Sequence, residues 1–292
     1  MASTTPRGPV AARTVIEVVR LSTGYLRDRG SPSARLDSEL LVGHAVGLSR
    51  LDLYLQYDRP LSDPELDRVR ELLRRRGRGE PVAHLVGCRE FFGRSFRVTP
   101  AVLVPRPETE TLVDRALRAA RERDGEVRIA DLGTGSGCIG CTLAAELGQS
   151  SVLGCDVSPE ALAVAAENAA ALGVASRVLL VEGGWEKGLV ADLDLVVSNP
   201  PYVTTAELEG LPRDLGFEPR VALDGGVDGL EAYRVIFPAV AERCPGARWI
   251  GVEVDSRRAG LVADMARSVW PDATVAVAND LAGLPRVVEV RP

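Results

Sequence analysis

Short apolar segments alternate with helix-forming segments from Val127 to Ser198, and this alternation limits the fold more than any other feature of the chain. Strands that alternate with helices pair into a parallel sheet whose two faces the helices cover. We therefore predict an α/β fold. The predicted elements of this part are strand Val127–Leu132, helix Cys138–Leu147, strand Val152–Cys155, helix Pro159–Leu172, strand Val178–Val181 and strand Leu193–Ser198.

The rest of the chain continues the alternation and closes with two adjacent strands. Asn279 to Pro285 is short enough to join those strands as an antiparallel hairpin. A Rossmann-like, mostly parallel sheet with an antiparallel last strand is typical of class I S-adenosylmethionine-dependent methyltransferases. The predicted elements are a helix to about Glu242, strand Trp249–Val254, helix Arg257–Trp270 and strands Thr274–Ala278 and Arg286–Val290.

The N-terminal part has a helical pattern instead. Apolar residues from Thr14 to about Arg76 recur at helical spacing, and Ser62-Asp63-Pro64-Glu65 has the cap residue, proline and acid of a helix start. His44 falls in an apolar stripe, so we expect it to pack in the core rather than to bind a ligand. The basic run Arg68–Arg78 is either a solvated face or a contact for an acidic or RNA-containing partner.

Three domains follow from these patterns. We predict a small helical bundle at residues 1–80 and a catalytic domain at residues 108–292. Between them, residues 81–107 are predicted to be extended throughout, with a β-hairpin at Glu90–Val98 and a proline-rich connector up to Pro107.

Composition excludes several classes of protein. The formal net charge of -6 argues against a surface built broadly for nucleic acid. Residues 1–10 lack the apolar segment of a signal peptide and no later run approaches a membrane span, so we expect a cytoplasmic protein without a membrane partner. With only 2 histidines the chain is poorly supplied for a metal centre. Cys138 and Cys141 are expected to be small buried residues, not a redox or metal pair.

A glycine-rich loop follows the strand that begins at Val127. Its glycines let the backbone approach a ligand closely, and Asp156, after the next strand, is placed to accept hydrogen bonds from both ribose hydroxyls. The pattern G-x-G-x-x-G also occurs here, but Asp131 would repel a pyrophosphate and attract the cationic groups of S-adenosylmethionine. The candidate cofactor-binding residues are Asp131, Gly133, Thr134, Gly135, Ser136, Gly137, Asp156, Trp185 and Asn199.

Asn199-Pro200-Pro201-Tyr202 follows the buried strand that ends at Ser198. In open α/β sheets ligands bind at the carboxyl ends of the strands, so the loop lies where a catalytic loop is expected. The Asn199 side-chain oxygen and the Pro200 carbonyl can hold the two N–H bonds of a planar nitrogen and aim it at an electrophile. Asn199, Pro200 and Tyr202 are the candidate catalytic residues, and Pro201 completes the candidate substrate loop. Trp185 either packs beside the adenine or lies in the core.

With these residues assembled, the chain resembles the peptide chain release factor N5-glutamine methyltransferases, the HemK/PrmC family. Besides the two loops above, the resemblance rests on segments that begin at Leu36. The chain departs from the family pattern in two places, at His84 and at Asp255-Ser256. The matching segments are Leu36–Leu41, Gly79–His84, Arg89–Phe92, Val104–Glu110, Phe217–Pro219 and Ala222–Leu230.

The resemblance implies methyl transfer from S-adenosyl-L-methionine, leaving S-adenosyl-L-homocysteine, to the glutamine amide nitrogen in the Gly-Gly-Gln motif of class 1 release factors. It implies that the family's cofactor contacts lie at Gly133–Gly137, Asp156, Trp185 and Asn199, and that the helical domain helps dock the release factor. We expect a monomer with no direct nucleic-acid partner. Three alternatives stay open: a ribosomal-protein glutamine methyltransferase, an N6-adenine methyltransferase of DNA or RNA, and a non-catalytic module that binds the cofactor.

Overall fold

The computed structural model describes residues 13–292. The chain forms two compact units, one ending at Val86 and one running from Gly87 to Pro292. Within the described residues no helix has the length and apolarity needed to cross a bilayer.

The first unit is a bundle of helices, as predicted. Its elements are α1 (Val15–Arg27), α2 (Ala34–Val46), α3 (Arg50–Leu55), α4 (Asp63–Arg76) and α5 (Val82–Val86). The predicted helix start at Ser62 is confirmed, because the Ser62 and Glu65 side chains form a capping box there. The prediction that His44 packs in the core is wrong. Leu41, Val42 and Ala45 form the inward face of α2, and His44 lies outside that face and is exposed.

Helix α5 corrects the expectation that residues 81–107 are extended throughout. The Pro81 carbonyl accepts hydrogen bonds from the backbone N–H groups of His84 and Leu85, at 3.1 and 3.2 Å. Proline suits the first turn of a helix because its missing N–H would have no intrahelical partner there. The turn buries Leu85 in one cluster with Leu26.

Most arginines of the basic run are paired with carboxylates within the first unit. The Arg76–Asp37 pair is largely buried, and its Nε and Oδ2 atoms are 2.8 Å apart. This internal pairing favours a solvated face over a dedicated contact surface. The other pairs are Arg70 with Asp67, Arg74 with Glu71 and Arg75 with Glu80.

The second unit begins with the predicted hairpin, formed by β1 (Cys88–Phe91) and β2 (Arg94–Arg97). Its two-residue turn has positive φ at Phe92 (50°) and Gly93 (70°), as a type I′ turn requires.

A seven-stranded sheet follows, in the order β5-β4-β3-β6-β7-β9-β8. Strand β9 is antiparallel to both of its neighbours and the other pairs are parallel, which confirms the predicted class of sheet. The strand order reverses between β3 and β6, so a crevice opens at their carboxyl ends. The strands are β3 (Val127–Leu132), β4 (Ser150–Asp156), β5 (Val178–Glu182), β6 (Leu195–Ser198), β7 (Trp249–Glu253), β8 (Thr274–Asn279) and β9 (Pro285–Arg291).

Helices cover both faces of this sheet. Successive strand residues point to opposite faces, so Ala130 belongs to one buried cluster and Ile129 to the other. The helices are α6 (Glu110–Arg121), α7 (Cys138–Glu146), α8 (Pro159–Ala171), α9 (Glu231–Arg243) and α10 (Ala259–Val269).

Candidate active site

The glycine loop after β3 has a backbone that only glycine adopts easily. Gly133, Gly135 and Gly137 have φ of 71°, 54° and 76°. The N–H groups of Gly133 and Thr134 both donate to the Cys155 carbonyl at 2.9 Å, which fixes the loop against the end of β4. A Cβ added at Gly133 would lie 2.9 Å from the Trp185 ring, so the indole packs directly on the loop.

Asp131 lies beneath the loop, fully buried. Its Oδ2 accepts hydrogen bonds from the Thr134 hydroxyl at 2.7 Å and from the Gly140 N–H at 3.0 Å, and burial raises its pKa to about 6. A Cβ at Gly140 would approach Oδ2 to 2.9 Å. The last glycine of G-x-G-x-x-G therefore makes room for Asp131, which explains the match to the dinucleotide pattern without a dinucleotide.

Asp156 joins the end of β4 to the loop. One of its oxygens accepts from the Gly135 N–H at 2.9 Å and the other from the Ser158 N–H at 3.0 Å. A carboxylate has about four acceptor sites, so about two are left for a ligand's hydroxyl groups.

A cavity lies above the loop at the carboxyl ends of β3 and β4. Asp131 and Gly137, two candidate cofactor-binding residues, are outside its wall: Asp131 lies under the loop, and Gly137 is the N-cap of α7. Seven of the nine candidate cofactor-binding residues line the cavity: Gly133, Thr134, Gly135, Ser136, Asp156, Trp185 and Asn199.

Several other residues of the cavity wall were not predicted from the sequence. The cavity is also lined by Ala101 to Leu103 and by Pro219, Val221 and Ala222. Buried Glu218 holds these two segments together, because it pairs with Arg106 and its Oε2 accepts from the Val104 N–H at 3.4 Å.

Asn168 on α8 braces the loop from outside the cavity, and it too was missed. Its Nδ2 donates to the carbonyls of Ser136 and Arg97 at 2.8 and 3.0 Å, and its Oδ1 accepts from the Arg97 N–H at 2.7 Å. The Asn168 side chain is 2% exposed. In the sequence, the signal for its role is that it is a single amide among the small apolar residues of α8.

A second cavity lies beside the first, and Asn199 lines both. Of the candidate substrate loop, Pro201 faces the first cavity and Pro200 and Tyr202 face the second. The Asn199 Nδ2 donates to the Thr109 hydroxyl at 3.2 Å, and no group of residues 13–292 donates to its Oδ1.

Burial raises the pKa of Tyr202, so its phenol stays protonated at neutral pH. The hydroxyl donates to Glu253 Oε1 at 3.4 Å. The ring is thereby fixed at the side of the second cavity.

The cysteine pair lies behind the glycine loop. Cys138 and Cys141 are 9% and 1% exposed, which confirms that they are small buried residues. Burial raises the pKa of both thiols, to about 12 for Cys141, and so opposes the thiolate that redox or metal chemistry needs. Among the described residues no group of three or more His, Cys, Asp or Glu is placed to hold a metal ion.

Family models match both units of the chain. The PrmC N-terminal domain matches residues 17–87, and the methyltransferase small domain matches residues 109–210. Among solved structures, the hMettl16 catalytic domain in complex with an RNA hairpin superposes with a TM-score of 0.59 at 18% identity, over 72% of this chain and 81% of that one. At this identity the likeness shows a shared fold.

Curated relatives match nearly the whole chain. The release factor glutamine methyltransferase of Geobacter sulfurreducens is 42% identical over 278 residues, which are 94% of this chain and 95% of the relative. The protein of that name from Bradyrhizobium diazoefficiens is 39% identical over 293 residues, 98% of each chain. Identity at this level over almost the full length of both proteins means that the chain belongs to the release factor glutamine methyltransferase family.

Proposed function

We propose that this chain transfers the methyl group of S-adenosyl-L-methionine to the side-chain amide nitrogen of the glutamine in the Gly-Gly-Gln motif of class 1 peptide chain release factors. The position of Asn199 carries the proposal. Its side chain stands at the wall shared by two cavities, where an amide in one would face a methyl donor in the other. Family membership supports the same substrate.

The first cavity fits the cofactor by the chemistry of its wall. Asp156 has acceptor sites left for the ribose hydroxyls, and Trp185 and Val157 give flat and apolar surface for the adenine. Gly133 and Gly135 lack the side chains that would fill the space over the loop. When bound, S-adenosylmethionine supplies an electrophilic methyl group on a positively charged sulfur. Asp131 adds negative charge beneath the loop, and its direct contact with the cofactor stays a prediction.

Asn199 and Pro200 hold the nucleophile. The lone pair of an amide nitrogen is delocalised, so the nitrogen attacks poorly unless it is fixed in line with the methyl group. We infer that Asn199 Oδ1 and the Pro200 carbonyl accept its two N–H bonds. Proline has no N–H and a fixed φ, which keeps the loop rigid. Tyr202, neutral and held by Glu253, forms the side of the slot.

The charges around the second cavity favour a protein substrate over nucleic acid. The cations on its wall, Arg106 and Arg286, are paired with Glu218 and Asp280. Glu108 and Glu253 add negative charge to the same wall. Phosphate groups require unpaired cations, so the wall is poorly suited to DNA or RNA.

The test is methylation of a purified class 1 release factor with labelled S-adenosylmethionine, followed by mass spectrometry of the Gly-Gly-Gln peptide. We expect one methyl group on the glutamine, and none on a release factor with Gly-Gly-Asn in its place. Ribosomal proteins and DNA in parallel reactions test the alternatives. Asn199→Ala should bind the cofactor with little change and lower kcat by about 10²–10³-fold, a typical effect of removing a preorganised polar group. Unchanged turnover would refute the role of Asn199.

A further inference from the structure

Glu253 has the most unusual environment of the residues that line the second cavity. It ends β7, is 1% exposed, and its Oε2 has no hydrogen-bond partner among the described residues. The register Ser198–Val252 places Glu253 beside Asn199 at the same edge of the sheet. A buried carboxyl oxygen without a partner is costly, so such a carboxyl on a residue that lines a cavity indicates a ligand that donates to it.

Few groups of the protein offset the cost of burying the Glu253 carboxylate. Burial raises the pKa of Glu253 to about 7, although the hydroxyls of Thr109 and Tyr202 and the charge of Arg286 lower it, and Glu108 raises it. The charge of Arg286 is shared between Glu253 and Asp280, because the Arg286 Nε and Nη2 atoms each donate to Asp280 at 3.2 Å. Tyr233 and Cys138 are titratable groups that also interact with Glu253.

We propose, resting on the function proposed above, that Glu253 is a further catalytic residue of this reaction. Its carboxylate faces the glutamine amide and stabilises the positive charge that develops on the nitrogen. Once the methyl group is transferred, the N–H bond that the Pro200 carbonyl held turns to Oε2, and the carboxylate takes its proton. The nitrogen lone pair forms the bond to the methyl carbon, and the carbon–sulfur bond breaks with its electron pair left on sulfur. The electron pair of the N–H bond stays on nitrogen as the proton moves to Glu253. Glu253 later releases the proton to water.

The chemistry of the reaction calls for such a group. Methyl transfer moves a unit of positive charge from sulfur to an amide nitrogen, which becomes strongly acidic. A fixed carboxylate in a buried site opposes that charge more effectively than water does. Asn199 Oδ1 and the Pro200 carbonyl orient the nitrogen but carry only partial charges. Glu253 adds a full negative charge.

The test compares Glu253→Gln with Glu289→Gln. Glu289 is a matched control, a buried carboxyl on the neighbouring strand β9 that is hydrogen-bonded to Trp249 and lies outside both cavities. Wild-type kcat should rise about tenfold from pH 6 to pH 8, as the carboxylate forms. In Glu253→Gln we expect kcat at pH 8 to fall about 10²-fold and to lose this rise, with cofactor affinity preserved. Glu289→Gln should keep the rise.

A second readout does not depend on turnover. In cofactor-free protein labelled with ¹³C-glutamate, a carboxyl signal absent from Glu253→Gln should titrate near pH 7. A rise with pH that persists in Glu253→Gln, or a kcat close to wild type, would overturn the proposal. If Glu253→Gln fails to fold, Glu253→Asp replaces it and should retain the rise. Failure of the proposed function would look different, because the wild type would methylate no release factor at any pH.

Discussion

The Asn199 Nδ2 atom donates a hydrogen bond to the hydroxyl of Thr109, 3.2 Å away and 90 residues earlier in the chain. An amide side chain has one donor end and one acceptor end, so this bond decides which end faces the cavities. Because Thr109 takes the donor end, Oδ1 is left to accept from a substrate. The segment before α6 thus sets the orientation of the residue that we propose to hold the nucleophile.

Thr109→Val tests this orientation. Valine keeps the shape of threonine but cannot accept from Asn199 Nδ2, so the amide loses its preferred orientation. The hydrogen bond of the Thr109 hydroxyl to Glu253 is lost as well. We expect kcat to fall about tenfold, which corresponds to one hydrogen bond of about 1–1.5 kcal/mol, while the cofactor Kd stays unchanged. Thr109→Ser keeps the hydroxyl and should retain most of the activity. Equal losses in the two variants would contradict the orienting role.

Asp156→Ala tests the cofactor site. The substitution removes the acceptor of the Gly135 N–H and the acceptors proposed for the ribose. Hydrogen bonds to a charged group contribute about 1.5–3 kcal/mol each, so we expect the cofactor Kd from calorimetry to rise about 10²-fold. Asp264→Asn removes an exposed carboxylate on α10 and should leave the Kd unchanged. A similar Kd for both variants would show that Asp156 does not bind the ribose.

Gly133→Ala tests the glycine loop. The new Cβ would meet the Trp185 ring and would strain a backbone with φ of 71°. We expect a loss of about 1–3 kcal/mol in the free energy of unfolding, together with weaker cofactor binding. Gly260 on α10 is the matched control: a Cβ there meets nothing within 4 Å, so Gly260→Ala should stabilise by up to about 1 kcal/mol. Denaturant unfolding measures the free energy of unfolding of both variants. An unchanged free energy of unfolding in Gly133→Ala would contradict the close packing of Trp185 on the glycine loop.

Arg106→Ala should destabilise the protein in a pH-dependent way. It leaves the Glu218 carboxylate buried without its cation, and because the Arg106 side chain is 34% exposed we expect a loss of about 1–3 kcal/mol at pH 7. Burial already holds the folded pKa of Glu218 above its ordinary value, and removing Arg106 raises it further. The stability difference from wild type should therefore be small near pH 4, where Glu218 is protonated, and grow as the pH rises. Unfolding at several pH values measures it, and a constant difference would contradict this account.

Local signals predicted the sheet and the loops. Continuous apolar segments specified strands such as β3 and β6, and glycines at 133, 135 and 137 indicated a backbone that the structure shows to have positive φ. Contacts between distant segments carry no local signal. Arg106 and Glu218 are 112 residues apart, and Thr109 reaches Asn199 only after the sheet has formed. Sequence spacing also could not show that Asp131 lies beneath its loop, because depth depends on how α7 packs.

Asn168 binds the hairpin and the glycine loop with one amide group, through Arg97 on β2 and Ser136 in the loop. Both segments are hydrogen-bonded to the same Asn168 side chain, so a shift of one is opposed by the bonds to the other. A ligand that restricts the motion of the Ser136 carbonyl should therefore slow hydrogen exchange at the Arg97 backbone amide. Exchange in the hairpin would then report occupancy of the first cavity, which the hairpin's own side chains do not line.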